Sequence, residues 1–170
     1  RPSCCRGVTA RRMLELIARL RDALPGVTLR TTVLVGFPGE TEAAFDNLLA
    51  FVEEAGFDRL GVFTYSAEEG TPAVDMPDPV PADVMAERAQ QVQDLQDRLA
   101  WPRQKALYGT RQTVLVDGPS PDPAFPFEGR TAGQAPEIDG VVLLRDRRLT
   151  PGRFAEVSIV EVDGYELVGE

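Results

Sequence analysis

The sequence predicts an α/β segment followed by an all-β module, joined through a long helix. Three observations carry that reading. Helical apolar spacing alternates with short β-type runs as far as Ser66, and a proline-rich stretch interrupts the pattern at 67–82. From about Tyr108 onward, short alternating runs separated by turns take over. Five such runs in the last third of the chain predict a small five-stranded antiparallel barrel of the OB-like kind.

Thr9 is placed to cap a first helix in which Met13, Leu16, Ile17, Leu20 and Leu24 recur on one face. Arg11, Arg12, Arg19 and Arg21 lie mostly off that stripe, so an amphipathic helix packing on a sheet is expected. Pro25-Gly26 ends it, and 27–35 reads as the next strand. Its Val33-Leu34-Val35 run has the composition of a strand buried on both faces of a parallel sheet. Gly36 and Gly39 then bracket Phe37-Pro38. Proline holds Phe37 extended, and glycine lets a neighbour approach the backbone where a Cβ would stand. The carboxyl end of such a strand is where α/β sheets bind their ligands, although an ordinary βα turn fits the same residues.

Thr41 caps a second helix with Phe45, Leu48, Leu49 and Val52 on one face, and Gly56 ends it. The strand 59–66 follows, carrying Leu60, Val62, Phe63 and Tyr65. Two strands joined by one helix make a right-handed βαβ unit, which places Tyr65 and Ser66 beside the glycine turn. A core tyrosine and a turn serine fit these two positions equally. Pro72, Pro77, Pro79 and Pro81 mark the 67–82 stretch as a linker without regular structure. A polar helix over about 82–100 carries Val84, Met85, Val92, Leu95 and Leu99, with Trp101-Pro102 expected to kink or end it. The strands of the last module are read at 112–116, 127–131, 140–144, 154–162 and 165–168, with the boundary near residue 105. The organisation expected is therefore 1–80, a connecting helix at 81–107, and a barrel at 108–170.

Composition limits the chemistry. The 43% hydrophobic content is ordinary for a globular protein, and the chain contains no histidine, which removes the commonest neutral-pH acid–base group and metal ligand. Cys4 and Cys5 are adjacent, so they cannot provide the spaced thiolates of a zinc or iron–sulfur site; they read as reduced thiols near a frayed end. No apolar run approaches the roughly 18 residues of a membrane span and no secretory signal pattern precedes the first helix, so the expected setting is cytoplasmic without a membrane. Formal net charge is −9, divided as −5 over 1–104 and −4 over 105–170. Binding nucleic acid needs a basic surface to displace phosphate counterions, so this acidic barrel favours a basic partner over nucleic acid. A generic solvated acidic surface is the plainer alternative.

Three segments carry a resemblance: LRTTVLVGFPGETEAAF (29–45), DRLGVFTYSAEEGTPA (58–73) and GRTAGQAPEIDGVVLL (129–144). In order and over about 9–169, the sequence resembles the RimO-type methylthiotransferases, radical S-adenosylmethionine enzymes that modify an aspartate of a small-subunit ribosomal protein. The transfer-RNA methylthiotransferases (MiaB type) share GFPGET and the terminal barrel, called a TRAM domain, but APEIDG is similar to the ribosomal-protein branch. The resemblance implies that 1–80 forms the last βα units of a partial TIM-type (βα) barrel. It also implies S-adenosylmethionine and two 4Fe-4S clusters in the complete enzyme. Its partners would be a basic small-subunit ribosomal protein, or the ribosome, and the amino-terminal portion of the same enzyme. The deoxyadenosyl radical formed in such enzymes takes hydrogen from an unactivated carbon, a task no protein base performs, and the second cluster supplies sulfur.

The chain departs from the family at the clusters. The family's C-x-x-x-C-x-x-C loop and the three cysteines of its amino-terminal domain have no counterpart here, and Cys4-Cys5 is no substitute. The resemblance therefore implies a carboxyl-terminal portion that carries no cluster and is inactive alone. By the same resemblance, Thr32, Leu34, Gly36, Gly39, Tyr65 and Ser66 face S-adenosylmethionine. Arg30 points toward substrate or cofactor carboxylate, and Glu137 and Asp139 meet a basic ribosomal protein. Turn chemistry at Asp139-Gly140 is the alternative for the last pair. Two other functions fit less well: a fragment of the transfer-RNA branch, and a non-catalytic TRAM binding module.

Overall fold

A computed structural model describes residues 9–170, so Cys4 and Cys5 lie outside the described residues. Thr9 has an extended backbone and its Oγ1 accepts from Arg12 N at 3.3 Å, which starts α1 (Ala10–Ala23). Strand β1 (Arg30–Val35) begins three residues later than the sequence suggests. Thr41 Oγ1 accepts from Ala44 N at 3.2 Å to start α2 (Glu42–Ala55), and Gly56 in the left-handed region closes it. Strand β2 (Arg59–Thr64) then pairs parallel with β1, with Thr32 opposite Gly61 and Leu34 opposite Phe63. Residues 65–81 contain no helix or strand.

Helix α3 (Ala82–Lys105) runs on past Trp101-Pro102, where the sequence suggests a kink or an end, and Pro102 sits inside it. A proline there removes one intrahelical N–H, and the flanking turns persist through bonds such as Ala106 N to Pro102 O at 3.1 Å. Five strands follow: β3 (Arg111–Gly118), β4 (Phe127–Thr131), β5 (Val142–Leu144), β6 (Phe154–Asp163) and β7 (Glu166–Gly169). They close into a barrel in the order β3-β4-β5-β7-β6. The barrel is mixed where the sequence suggests pure antiparallel pairing, because β5 and β7 run parallel. β6 and β7 form an antiparallel hairpin through Gly164, and seating β7 beside β5 to close the barrel leaves those two strands in the same direction.

The chain divides into two compact units, Arg1–Ala100 and Trp101–Glu170. The first has a core of Ile17, Val35, Phe45, Val52, Ala55, Phe57, Leu60, Val92 and Leu95. The second has Val114, Val116, Val142, Leu144, Val157, Ile159 and Leu167. Two expectations about the first unit need correction. Of the apolar stripe on α1 only Ile17 is fully buried, while Met13, Leu16 and Leu24 stay exposed. β1 is covered on one face only, since Arg30, Thr32 and Leu34 are exposed. A sheet of two strands, with its helices packed on one side, leaves its other face and its outer edges open.

Candidate functional site

Successive side chains of a strand point to opposite faces, so Val33 and Val35 pack against the core while Arg30, Thr32 and Leu34 stand on the open face. The parallel register brings Gly61 and Phe63 onto that face beside them. Leu34 is 48% and Phe63 64% exposed, making an apolar pair at the carboxyl end of the sheet. Gly61, with no side chain, leaves the space next to Thr32 free: a Cβ there would meet Thr32 Oγ1 at 3.7 Å. The ladder extends one residue past β2, with Tyr65 N donating to Val35 O at 2.8 Å, and the Phe37 ring meets Tyr65 edge-on at 5.4 Å. Tyr65 therefore sits beside the glycine turn, and Ser66 follows it in an exposed position.

The turn 36–41 is bound tightly to its own chain. Gly36 and Gly39 have φ of +79° and +81°, a backbone region costly to any residue with a Cβ. Gly36 N donates to Glu40 Oε1 at 3.1 Å, Glu40 N donates to Phe37 O at 2.9 Å, and Gly39 N donates to Asp78 O at 2.8 Å. These three N–H groups are consumed internally, so they form no anion cradle. The space beyond Gly36 is filled by Met85 of α3, whose Cγ would lie 2.2 Å from a Cβ built there. One turn further along α3, Arg88 is only 4% exposed. Its Nη1 donates to Glu40 Oε1 at 2.8 Å and to Glu40 O at 3.2 Å, and its Nη2 pairs with Glu42. The guanidinium also lies 5.2 Å from the centre of the Phe45 ring. Burial alone would lower the Arg88 pKa; hydrogen bonds and charge from Glu42 and Glu40 outweigh it, and the pKa is raised.

Phe63, Met85, Glu40 and Arg88 are neighbours of the site that the sequence reading did not assign to it, Phe63 and Met85 being read there only as members of apolar patterns. Phe63 had a signal in its parallel pairing with Leu34. Arg88 had a weaker one, lying three residues after Met85 and four before Val92 on the buried stripe of a polar helix.

In the barrel, Asp139 is committed to its own loop: its Oδ2 accepts from Ala135 N at 2.7 Å, and its N–H donates to Ala135 O at 3.2 Å. Buried Gln134 closes the same loop, accepting from Thr131 N at 2.9 Å and donating to Gly140 O. The loop holds out Glu137, whose φ is +61°, and Ile138, which is 73% exposed. Elsewhere on this unit Trp101, Lys105, Tyr108, Val160, Glu161 and Val162 line an open groove. Among the described residues no group of three or more His, Cys, Asp or Glu side chains could hold a metal ion. No helix among them is long and apolar enough to cross a membrane.

The chain is thus an α/β unit with one open sheet face, followed by a five-stranded barrel, and residues 109–170 match the family model of the TRAM domain. Over more than nine-tenths of its length it is similar to proteins named ribosomal protein uS12 methylthiotransferase RimO. The relative from Anaeromyxobacter sp. (strain K) is 48% identical over 155 residues, covering 91% of this chain and 33% of the relative. The relative from Geobacter sulfurreducens is 46% identical over 156 residues, 92% of this chain and 35% of its own. That from Myxococcus xanthus is 43% identical over 163 residues, 96% of this chain and 34% of its own. The resemblance carried by the three motifs therefore holds across both units, and the chain spans about a third of the length of the curated relatives it matches.

Proposed function

We propose that these residues form the carboxyl-terminal part of a radical S-adenosylmethionine methylthiotransferase that modifies an aspartate of ribosomal protein uS12. The observation that carries this is identity of 43–48% over alignments that cover 91–96% of the chain and so take in both units. In this reading 1–80 completes a (βα) barrel assembled with an amino-terminal portion, 81–107 connects, and 108–170 meets the substrate.

The open face of β1 and β2 fits the nucleoside part of S-adenosylmethionine. Leu34 and Phe63 offer apolar surface, Thr32 a hydroxyl beside the vacant position at Gly61, and Tyr65 and Ser66 the neighbouring strand end. Gly36 and Gly39 contribute by fixing the turn, and Arg30 lies on the same face for a carboxylate. When bound, S-adenosylmethionine supplies the hydrogen abstraction that an aspartate carbon requires. The described residues do not fit an iron–sulfur cluster, so in this reading both 4Fe-4S clusters belong with the amino-terminal portion. Glu137, held out from its loop, is the residue offered to a basic ribosomal protein; Asp139 acts by shaping that loop.

The test joins residues 9–170 to the upstream two-thirds of the Anaeromyxobacter relative and assays uS12 by mass spectrometry. Methylthiolation of one aspartate is expected; an intact chimera that modifies transfer RNA instead would overturn the reading. Binding by the chain itself supplies the second check. Purified uS12 should bind, and Glu137→Lys should weaken it, whereas tight, steeply salt-dependent binding of transfer RNA would favour the other branch.

A further inference from the structure

The proposed site rests on a turn whose shape is imposed from outside its own βα unit. Gly36 and Glu40 are four residues apart, and the bond between Gly36 N and the Glu40 carboxylate closes the turn on itself. A carboxylate side chain only 13% exposed is expensive to bury unless paired, and its partner is Arg88, 48 residues away on α3. Arg88 Nη1 bridges two Glu40 atoms, the Oε1 that accepts from Gly36 and the backbone carbonyl that leads into α2. The Arg88 side chain is itself 5% exposed, so neither partner is relieved by water. Met85, one helical turn before it, presses its thioether against Gly36 from the same helix.

We infer that Arg88 is a positioning residue for the ligand site: through Glu40 it holds the turn 36–41 in the one conformation that leaves the open sheet face accessible. This rests on the reading that the turn and the face of β1 and β2 form the S-adenosylmethionine site. Glu42 plays no part in it, because its side chain is 79% exposed and reaches only the outer nitrogen of Arg88. Lysine replaces the guanidinium only in part, since a flexible ammonium lacks the rigid planar geometry that aims Nη1 at both Glu40 Oε1 and Glu40 O.

Amide hydrogen exchange on the 170-residue chain tests the idea. The Gly36 amide, which bonds to Glu40, is followed against the Gly56 amide, which bonds to Val52 O at 3.0 Å at the far end of α2. Arg88→Ala should speed Gly36 exchange about tenfold or more, the loss expected for one charge-assisted hydrogen bond, with Gly56 little changed. Arg88→Lys should fall between this variant and the parent, and Glu42→Gln should match the parent. Equal acceleration at both amides in Arg88→Lys would mean global destabilisation and overturn the inference, as would a Glu42→Gln effect as large as that of Arg88→Lys. Should Arg88→Ala fail to fold, Arg88→Lys and Glu40→Gln carry the same comparison. Calorimetric titration with S-adenosylmethionine is run in parallel on the chimera with the Anaeromyxobacter relative, as parent and as Arg88 variants. If the parent binds, the Arg88 variants should bind more weakly. If the parent does not bind, the site reading fails, and the exchange data alone still decide whether Arg88 holds the turn.

Discussion

Gly36 and Gly39 share a left-handed backbone but have different surroundings, and the difference makes a prediction. A Cβ at Gly39 meets nothing within 4 Å, so Gly39→Ala pays only the backbone strain, about 1 kcal/mol. At Gly36 the same substitution also drives into Met85 and should cost about 3 kcal/mol. Denaturant midpoints measure both. The double variant Gly36→Ala/Met85→Ala should recover part of the loss beyond additivity; strict additivity would show that Met85 is not the obstacle. A second residue-scale prediction concerns Asp146, whose carboxyl is held below its ordinary range by hydrogen bonds from the Arg148 side chain and N–H. A folded pKa lower than the unfolded one stabilises the Asp146–Arg148 turn above the unfolded value, and that contribution is lost as pH falls through the folded one. Carboxyl NMR should show Asp146 titrating below the usual value of 3.8 and moving upward in Arg148→Ala.

At the scale of elements, the open face of β1 and β2 is the feature to probe. Leu34 and Phe63 are exposed, so Leu34→Ser/Phe63→Ser should leave unfolding free energy within about 0.5 kcal/mol per site, as at other surface positions. The same change should reduce self-association in sedimentation, because it removes an apolar patch beside unpaired strand edges. A loss of several kcal/mol would mean that something already covers this face. The other elements follow from local chemistry: the caps at Thr9 and Thr41 and the alternation in β3 and β6 were legible because capping and strand periodicity act over a few residues. The parallel pairing of β5 with β7 was not, since both segments alternate alike whichever way their neighbour runs.

For the whole molecule, the two separate hydrophobic cores predict separable responses. Val116, fully buried in the barrel, should cost that unit about 2 kcal/mol when cut to alanine, with amides of β1 and α2 keeping their protection. Loss of protection in both units together would show that they unfold as one.

The order of helices and strands and the place of the glycine turn were set by the sequence itself, because each depends on periodicity, capping and turn residues within a short window. So was the likeness to methylthiotransferases, through GFPGE and APEIDG. Only the tertiary structure decided which face of β1 lies open, that Met85 fills the space at Gly36, and that Arg88 reaches Glu40 across 48 residues. These depend on what packs against each residue from distant parts of the chain, and the pairing of one buried charge with another leaves no periodic mark in a sequence.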